Sequence, residues 1–363
     1  GELDEATYDL IGKVYSQIEK KEPWCKNSKP LAEIAVITPE AIDPYSDSGS
    51  SIQRSIKGVL RMLQESKKQF NIIDFDQKFG DYQLIVLPDD IVLTPERAEK
   101  IKKYLRNGGK VLASFESGLD MDKSQFIIPL GVEKTSDGPV DSDGDHAVGK
   151  IYNKDDYAEY ILPQQNDIGK GLPNTEHVMY IKGTPVQATG DSTVKANTIS
   201  SFFNRTYKHF CSHRQTPSSG EISHPAIVEN KNSIYFSHPV CKQYAHNAPK
   251  WCKTLFINAL DSLLDDQLIH VDAPSSTICT INQQKNNYIV HLLHYIPVNR
   301  GEQFEVIEDV IPLYNIPVSV KFNTTPKKVQ MVPEKEAISF KMNGKRVEFT
   351  IPVLRGHQMI EIS

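Results

Sequence analysis

The sequence predicts an α/β domain built on a parallel sheet, followed by a small all-β sandwich. Two observations predict this. Between residues 33 and 114, short apolar runs alternate with amphipathic segments of helical period, the pattern of strands joined by crossover helices. From His270 onward the helical period disappears, and strand-like runs recur about every 8–12 residues.

A leading helix is expected over residues 3–21. Leu3, Tyr8, Ile11, Val14, Tyr15 and Ile18 fall at helical spacing, and Glu22-Pro23 is expected to end it. Residues 33–38 read as a buried strand. Ile52, Ile56, Val59, Leu60 and Leu63 then form the apolar face of a helix. Residues 71–75 and 83–87 are the next strands. Thr94 is placed as an N-cap with Pro95 in the first turn, and Gly108-Gly109 stops that helix. Residues 110–114 are a fourth strand. Residues 177–181 and 184–188 read as short strands. Residues 224–229 and 233–237 read as a hairpin joined at Asn230-Lys231-Asn232. Residues 251–264 form a helix with Leu255, Phe256, Ala259, Leu260 and Leu263 on one face. The sandwich strands are expected at 276–282, 287–295, 318–322, 328–332, 338–342, 346–351 and 358–362.

Composition excludes several classes. The 363 residues suffice for two cored domains. A net charge of −5 gives no general drive toward nucleic acid or anionic lipid. No apolar run approaches the ~18 residues of a membrane span. No P-loop and no strand followed by G-x-G-x-x-G is present, so no nucleotide cofactor is expected. Residue 1 is Gly, and the expectation is that the chain starts inside a longer protein. Cys25, Cys211, Cys241, Cys252 and Cys279 are odd in number and without a C-x-x-C pair. They read as free buried thiols.

The strand at 110–114 runs into a sharp turn, Ser114-Phe115-Glu116-Ser117-Gly118. This resembles the G-x-C-x-G elbow of class I glutamine amidotransferases, which have a flavodoxin-like sheet. Glu116 stands in the place of the cysteine. A carboxylate does not do a thiolate's nucleophilic work on an amide. The resemblance therefore implies the fold with a degenerate elbow at Ser114, Glu116, Ser117 and Gly118. A serine hydrolase reading is disfavoured, because the pattern is not G-x-S-x-G. Glu116 also reads simply as an exposed or helix-capping acid.

A wider resemblance rests on three segments: 83–88 with Gly108-Gly109-Lys110-Val111-Leu112, Tyr207–Pro217, and Tyr288–Tyr295. In this order they resemble the region after the barrel in bacterial α-L-fucosidase and β-galactosidase-like glycoside hydrolases, with a trimerisation-type domain and a C-terminal sandwich. The resemblance implies a leading helix and linker at 1–30, an amidotransferase-like domain at 31–268 and a sandwich at 269–363. It implies partners too: a catalytic (β/α)8 barrel upstream, further copies of the chain in a homo-oligomer, and a carbohydrate substrate. The two catalytic carboxylates would lie on that barrel, so no residue here is assigned a catalytic role. The alternatives are an independent enzyme with an altered elbow, or a carbohydrate-binding module.

The richest polar cluster is His209-Phe-Cys-Ser-His213 with Arg214, Gln215, His224 and His238. His209, His213, Arg214 and Gln215 are candidates for shaping a sugar site, with Trp251 or Tyr244 to stack on a ring. The bland reading is a structural hydrogen-bonding network. His209, Cys211 and His213 would share one face of a strand, but the usual zinc spacings are absent, and no metal is expected. Asp141, Asp143 and Asp145 alternate as calcium ligands do, yet read as a solvated loop. His291 and His294 fall on opposite faces of one strand, and one of them is expected to point inward.

Overall fold

The computed structural model of the chain describes residues 3–41, 51–136, 158–203, 216–264 and 266–363. They form two compact units. One comprises residues 33–63 and 70–266, the other 1–32, 64–69 and 267–363.

The first unit is organised around a nine-stranded sheet. Phe70–Ile73, Ile34–Ile37, Leu84–Leu87, Lys110–Ser114 and Ser233–Phe236 lie side by side in that order, all parallel. The central strands are apolar at nearly every position because both faces are covered. Ile34, Val36, Leu84 and Val86 pack toward helices Ser51–Glu65 and Lys250–Leu263. Ala35, Ile37, Ile85 and Leu87 pack with Ala98 and Ile101 of helix Pro95–Arg106. That helix starts as expected: the Thr94 hydroxyl accepts from the Arg97 N–H, and Pro95 opens the first turn. It stops at Asn107, where Gly108 takes a φ of 88°.

Beyond Ser233–Phe236 the sheet is antiparallel, through Ser218–Asn230, Thr193–Ser201, Glu159–Pro163 and His177–Met179. The expected parallel sheet is therefore a mixed one. The physical reason is visible at the hairpin. Only Lys231 and Asn232 link Ser218–Asn230 to Ser233–Phe236. A parallel crossover needs about a dozen residues or more. Val186–Ala188 pairs with Val132–Lys134 in a separate ribbon.

Two helices of this unit approach closely. A Cβ at Gly58, in Ser51–Glu65, would lie 1.8 Å from the carbonyl oxygen of Cys241, in helix Val240–Asn247.

The second unit is a sandwich of a six-stranded and a four-stranded antiparallel sheet. Ile281, Val290, Leu292 and Ile360 of the larger share one core with Val318, Val320, Val347 and Ile351 of the smaller. Alternation along Thr277–Gln284 and Arg346–Leu354 sends these residues inward. His294 is buried and His291 half-buried, as their spacing requires.

The leading helix runs Glu5–Cys25 and does not end at Glu22-Pro23. Pro23 removes one donor in the last turn, yet the Lys26 N–H still closes on the Glu22 carbonyl at 2.9 Å. No residue of this helix is buried. Tyr8, Leu10, Val14, Tyr15 and Ile18 are all exposed. Its end is anchored: Trp24 packs on Ile289, Val332 and Met359, and its indole N–H donates to Glu361 Oε2 at 3.2 Å. Among the described residues Cys241, Cys252 and Cys279 are free and buried, as expected. Cys25 is free and exposed, which corrects that expectation; it lies on the uncovered helix.

Candidate functional site

The turn after Lys110–Ser114 is sharp, and its left-handed residue is Phe115, with φ 56°, one position before Glu116. Both serines are buried and occupied. Ser114 Oγ donates to Asp89 Oδ1 at 2.6 Å and accepts from the Asp89 N–H at 2.9 Å. Ser117 Oγ accepts from the Ile91 N–H at 3.1 Å. Glu116 is paired with Lys123 at 2.7 Å. Gly118 takes a φ of 95°, and a Cβ there would meet Leu130 at 2.9 Å. Asp89 also caps helix Val240–Asn247 from a distance. Its Oδ2 accepts from the Lys242 N–H at 2.7 Å, at a helix that opens after Pro239 with no side-chain cap of its own. Burial pushes the Asp89 carboxyl up to about 6, against the Lys242 charge and the Ser114 hydrogen bond. The elbow is a packed junction between loops and a helix.

The segment holding His209, Cys211, His213, Arg214 and Gln215 lies outside the described residues, as do Asp141, Asp143 and Asp145. Tyr244 belongs to the core and offers no ring for stacking on a sugar. Trp251 is stacked on His177, with ring centroids 5.7 Å apart.

His224 and His238 are brought together with a residue that the sequence reading did not single out, Glu159. His224 lies in Ser218–Asn230, His238 just after Ser233–Phe236, and Glu159 opens Glu159–Pro163. All three are buried, and one donor atom from each lies within 4.8 Å of the others. His238 Nε2 is 2.8 Å from Glu159 Oε2, and the same oxygen accepts from the Gly183 N–H at 3.0 Å. The two imidazoles stack at 5.8 Å. Each has its Nδ1 engaged by the preceding serine, Ser223 Oγ on His224 and Ser237 Oγ on His238, both at 3.0 Å. His224 Nε2 has no hydrogen-bond partner among the described residues.

Electrostatics bind the cluster further. Burial alone would raise the Glu159 carboxyl. The hydrogen bond and charge of His238, with His224 and Lys182, hold it down at about 2. Burial pushes His224 down to about 4, although Glu159 opposes the shift. Glu159 and His224 line a cleft of ≈ 660 Å³ with Lys182, Ser200, Phe203 and Ser223. The sequence does carry a signal for this cluster, the repeated Ser-His-Pro at 223–225 within Ser218–Asn230 and at 237–239 just after Ser233–Phe236.

Comparison with known proteins bears on the whole chain. Residues 45–131 match the family model of the Beta-galactosidase trimerisation domain. The trimerisation-type segment thus includes the elbow and the helix that Thr94 caps. α-L-Fucosidase isoenzyme 2 from Paenibacillus thiaminolyticus is 34% identical in sequence, with a TM-score of 0.90, over 100% of this chain and 53% of that one. The β-galactosidase from Bacillus circulans sp. alkalophilus is 13% identical with a TM-score of 0.58, over 93% of this chain and 42% of that one. The β-galactosidase from Rahnella sp. R3 is 13% identical with a TM-score of 0.57, over 92% and 41%. These two share the fold. The chain spans about half the length of these three structures. No curated protein matches it in sequence. The relatives are glycoside hydrolases, and the matches are consistent with a post-barrel region of such an enzyme.

Proposed function

We propose that this chain is the non-catalytic assembly and substrate-site-shaping region of a multidomain glycoside hydrolase of the fucoside or galactoside class. The observation that carries this reading is the Glu5–Cys25 helix, which has an apolar stripe and no buried residue. A solvated stripe of Leu10, Ile11, Val14 and Ile18 has a covering surface to find. In this reading it packs on an upstream (β/α)8 barrel, and residues 1–30 form the link. Residues 31–268 are an amidotransferase-like domain that has lost its nucleophile, and residues 269–363 are a β-sandwich. The trimerisation-type match supports a homo-oligomer. His209, His213, Arg214 and Gln215 complete the sugar site, on the same or a neighbouring barrel. The elbow's occupied serines support a structural role for Ser114, Ser117 and Gly118.

The test is Ile11→Asp with Ile18→Asp in the intact protein. We expect loss of the native oligomer or of barrel activity, read by sedimentation velocity and aryl-glycoside turnover. Unchanged sedimentation together with unchanged kcat/KM would refute the reading.

A further inference from the structure

The geometry points to a divalent transition-metal site, of the kind zinc fills, formed by Nε2 of His224, Nε2 of His238 and the carboxylate of Glu159. Three features of the cluster carry this. The donor set is two imidazoles and one carboxylate, which suits zinc with a fourth position left for a water or substrate oxygen. Their donor atoms already lie within 4.8 Å of one another, so small side-chain shifts bring all three onto one ion. The supporting contacts are those of ligating histidines: each Nδ1 is engaged by a serine hydroxyl, which turns each Nε2 toward the centre.

The second, independent observation is an unpartnered donor. A buried Glu–His pair would explain Glu159 and His238 alone. It leaves His224 Nε2 buried with no partner among the described residues, on a side chain only 6% exposed. Such an atom is costly to bury unless something satisfies it. An ion between the three residues does so. Thr198 lies opposite His224 in the sheet, and its buried hydroxyl also has no partner among the described residues. Gly183 is required beside the site, since a Cβ there would come 2.9 Å from His238 Nε2. The fourth position opens where Glu159 and His224 line the cleft. The ion would tie Glu159–Pro163 to the Ser218–Asn230 hairpin.

The test uses the intact protein, stripped with a chelator and titrated with Co²⁺ alone. Wild type is expected to take up one equivalent more than His224→Ala or Glu159→Gln, with the absorption of a low-coordinate site, and Zn²⁺ should displace it. Ser223→Ala and Ser237→Ala keep all three ligands and serve if the ligand variants do not fold. Each is expected to weaken that equivalent roughly 10–100-fold. Cobalt uptake and affinity equal to wild type in any folded ligand variant, or in both serine variants, would overturn the site and leave the cluster a hydrogen-bonded scaffold.

Discussion

Ser114 and Asp89 hold each other twice. The hydroxyl donates to the carboxylate at 2.6 Å and accepts from the same residue's N–H at 2.9 Å. Asp89 then reaches the start of helix Val240–Asn247 through the Lys242 N–H. One pair of residues thus joins the elbow, the 89–91 loop and a helix about 150 residues later in the chain.

Ser114→Ala should therefore act on stability. It strips a buried carboxyl and a buried N–H of a shared partner, at a cost of about 1–3 kcal/mol. A thermal melt of the intact protein should show the loss, while kcat per folded molecule stays at the wild-type value. A selective fall in kcat would point instead to a chemical role for the hydroxyl.

The Asp89 carboxyl titrates at about 6 in the fold and near 3.8 when unfolded. The folded state therefore holds its proton over a window in which the unfolded state has lost it. Stability from this group is greatest below pH 4 and declines as pH rises to 6, by about 3 kcal/mol. Asp89→Asn removes that decline. Melts of both proteins across pH 4–7 should show the variant gaining on wild type as pH rises, and parallel curves would contradict this.

Gly58→Ala tests the contact between helices. The added methyl falls on the Cys241 carbonyl, so one helix must move. Overpacking of this kind costs about 1–3 kcal/mol, against the small gain in helix propensity. Lys57→Ala, on the exposed side of the same helix, is the control and should melt as wild type does.

Glu116→Gln should change little. The carboxylate meets Lys123, whose side chain is half exposed, and such pairs contribute up to about 1 kcal/mol. Stability and kcat of the intact protein should both hold. A 100-fold fall in kcat would revive a catalytic elbow.

His213→Ala and Arg214→Ala test the proposal that their segment shapes a sugar site. Hydrogen bonds that tighten in the transition state predict kcat/KM lower by roughly 10–100-fold with an unchanged melt. Early melting with wild-type kcat/KM in the folded fraction would make the segment scaffold.

Much of the architecture is legible in the sequence, for reasons that particular residues show. Strands covered on both faces must be apolar throughout, so 34–37 and 84–87 stand out. Thr94-Pro95 carries a helix start within two residues. The sandwich strands alternate because one face is dry. The antiparallel half of the first sheet is harder, since strands such as 159–163 and 193–201 are short of such patterns. The Asp89 cap is illegible locally, because the helix it serves opens after a proline that caps nothing. Glu159 opens one strand, His224 lies in the middle of another and His238 follows a third, and only the sheet order unites them. The repeated Ser-His-Pro was the available clue, and single-residue spacing rules do not reach it.

Strand Ser233–Phe236 borders Lys110–Ser114 on one side and its own hairpin partner on the other. These two edges close at very different sequence distances. The hairpin contact spans a few residues and forms on a microsecond scale. The parallel contact closes a loop of about 120 residues, whose entropy must be met before any reward from pairing. Folding of this unit is thereby ordered. The hairpin is expected to form first as a local seed, and its docking onto Lys110–Ser114 to complete the sheet later.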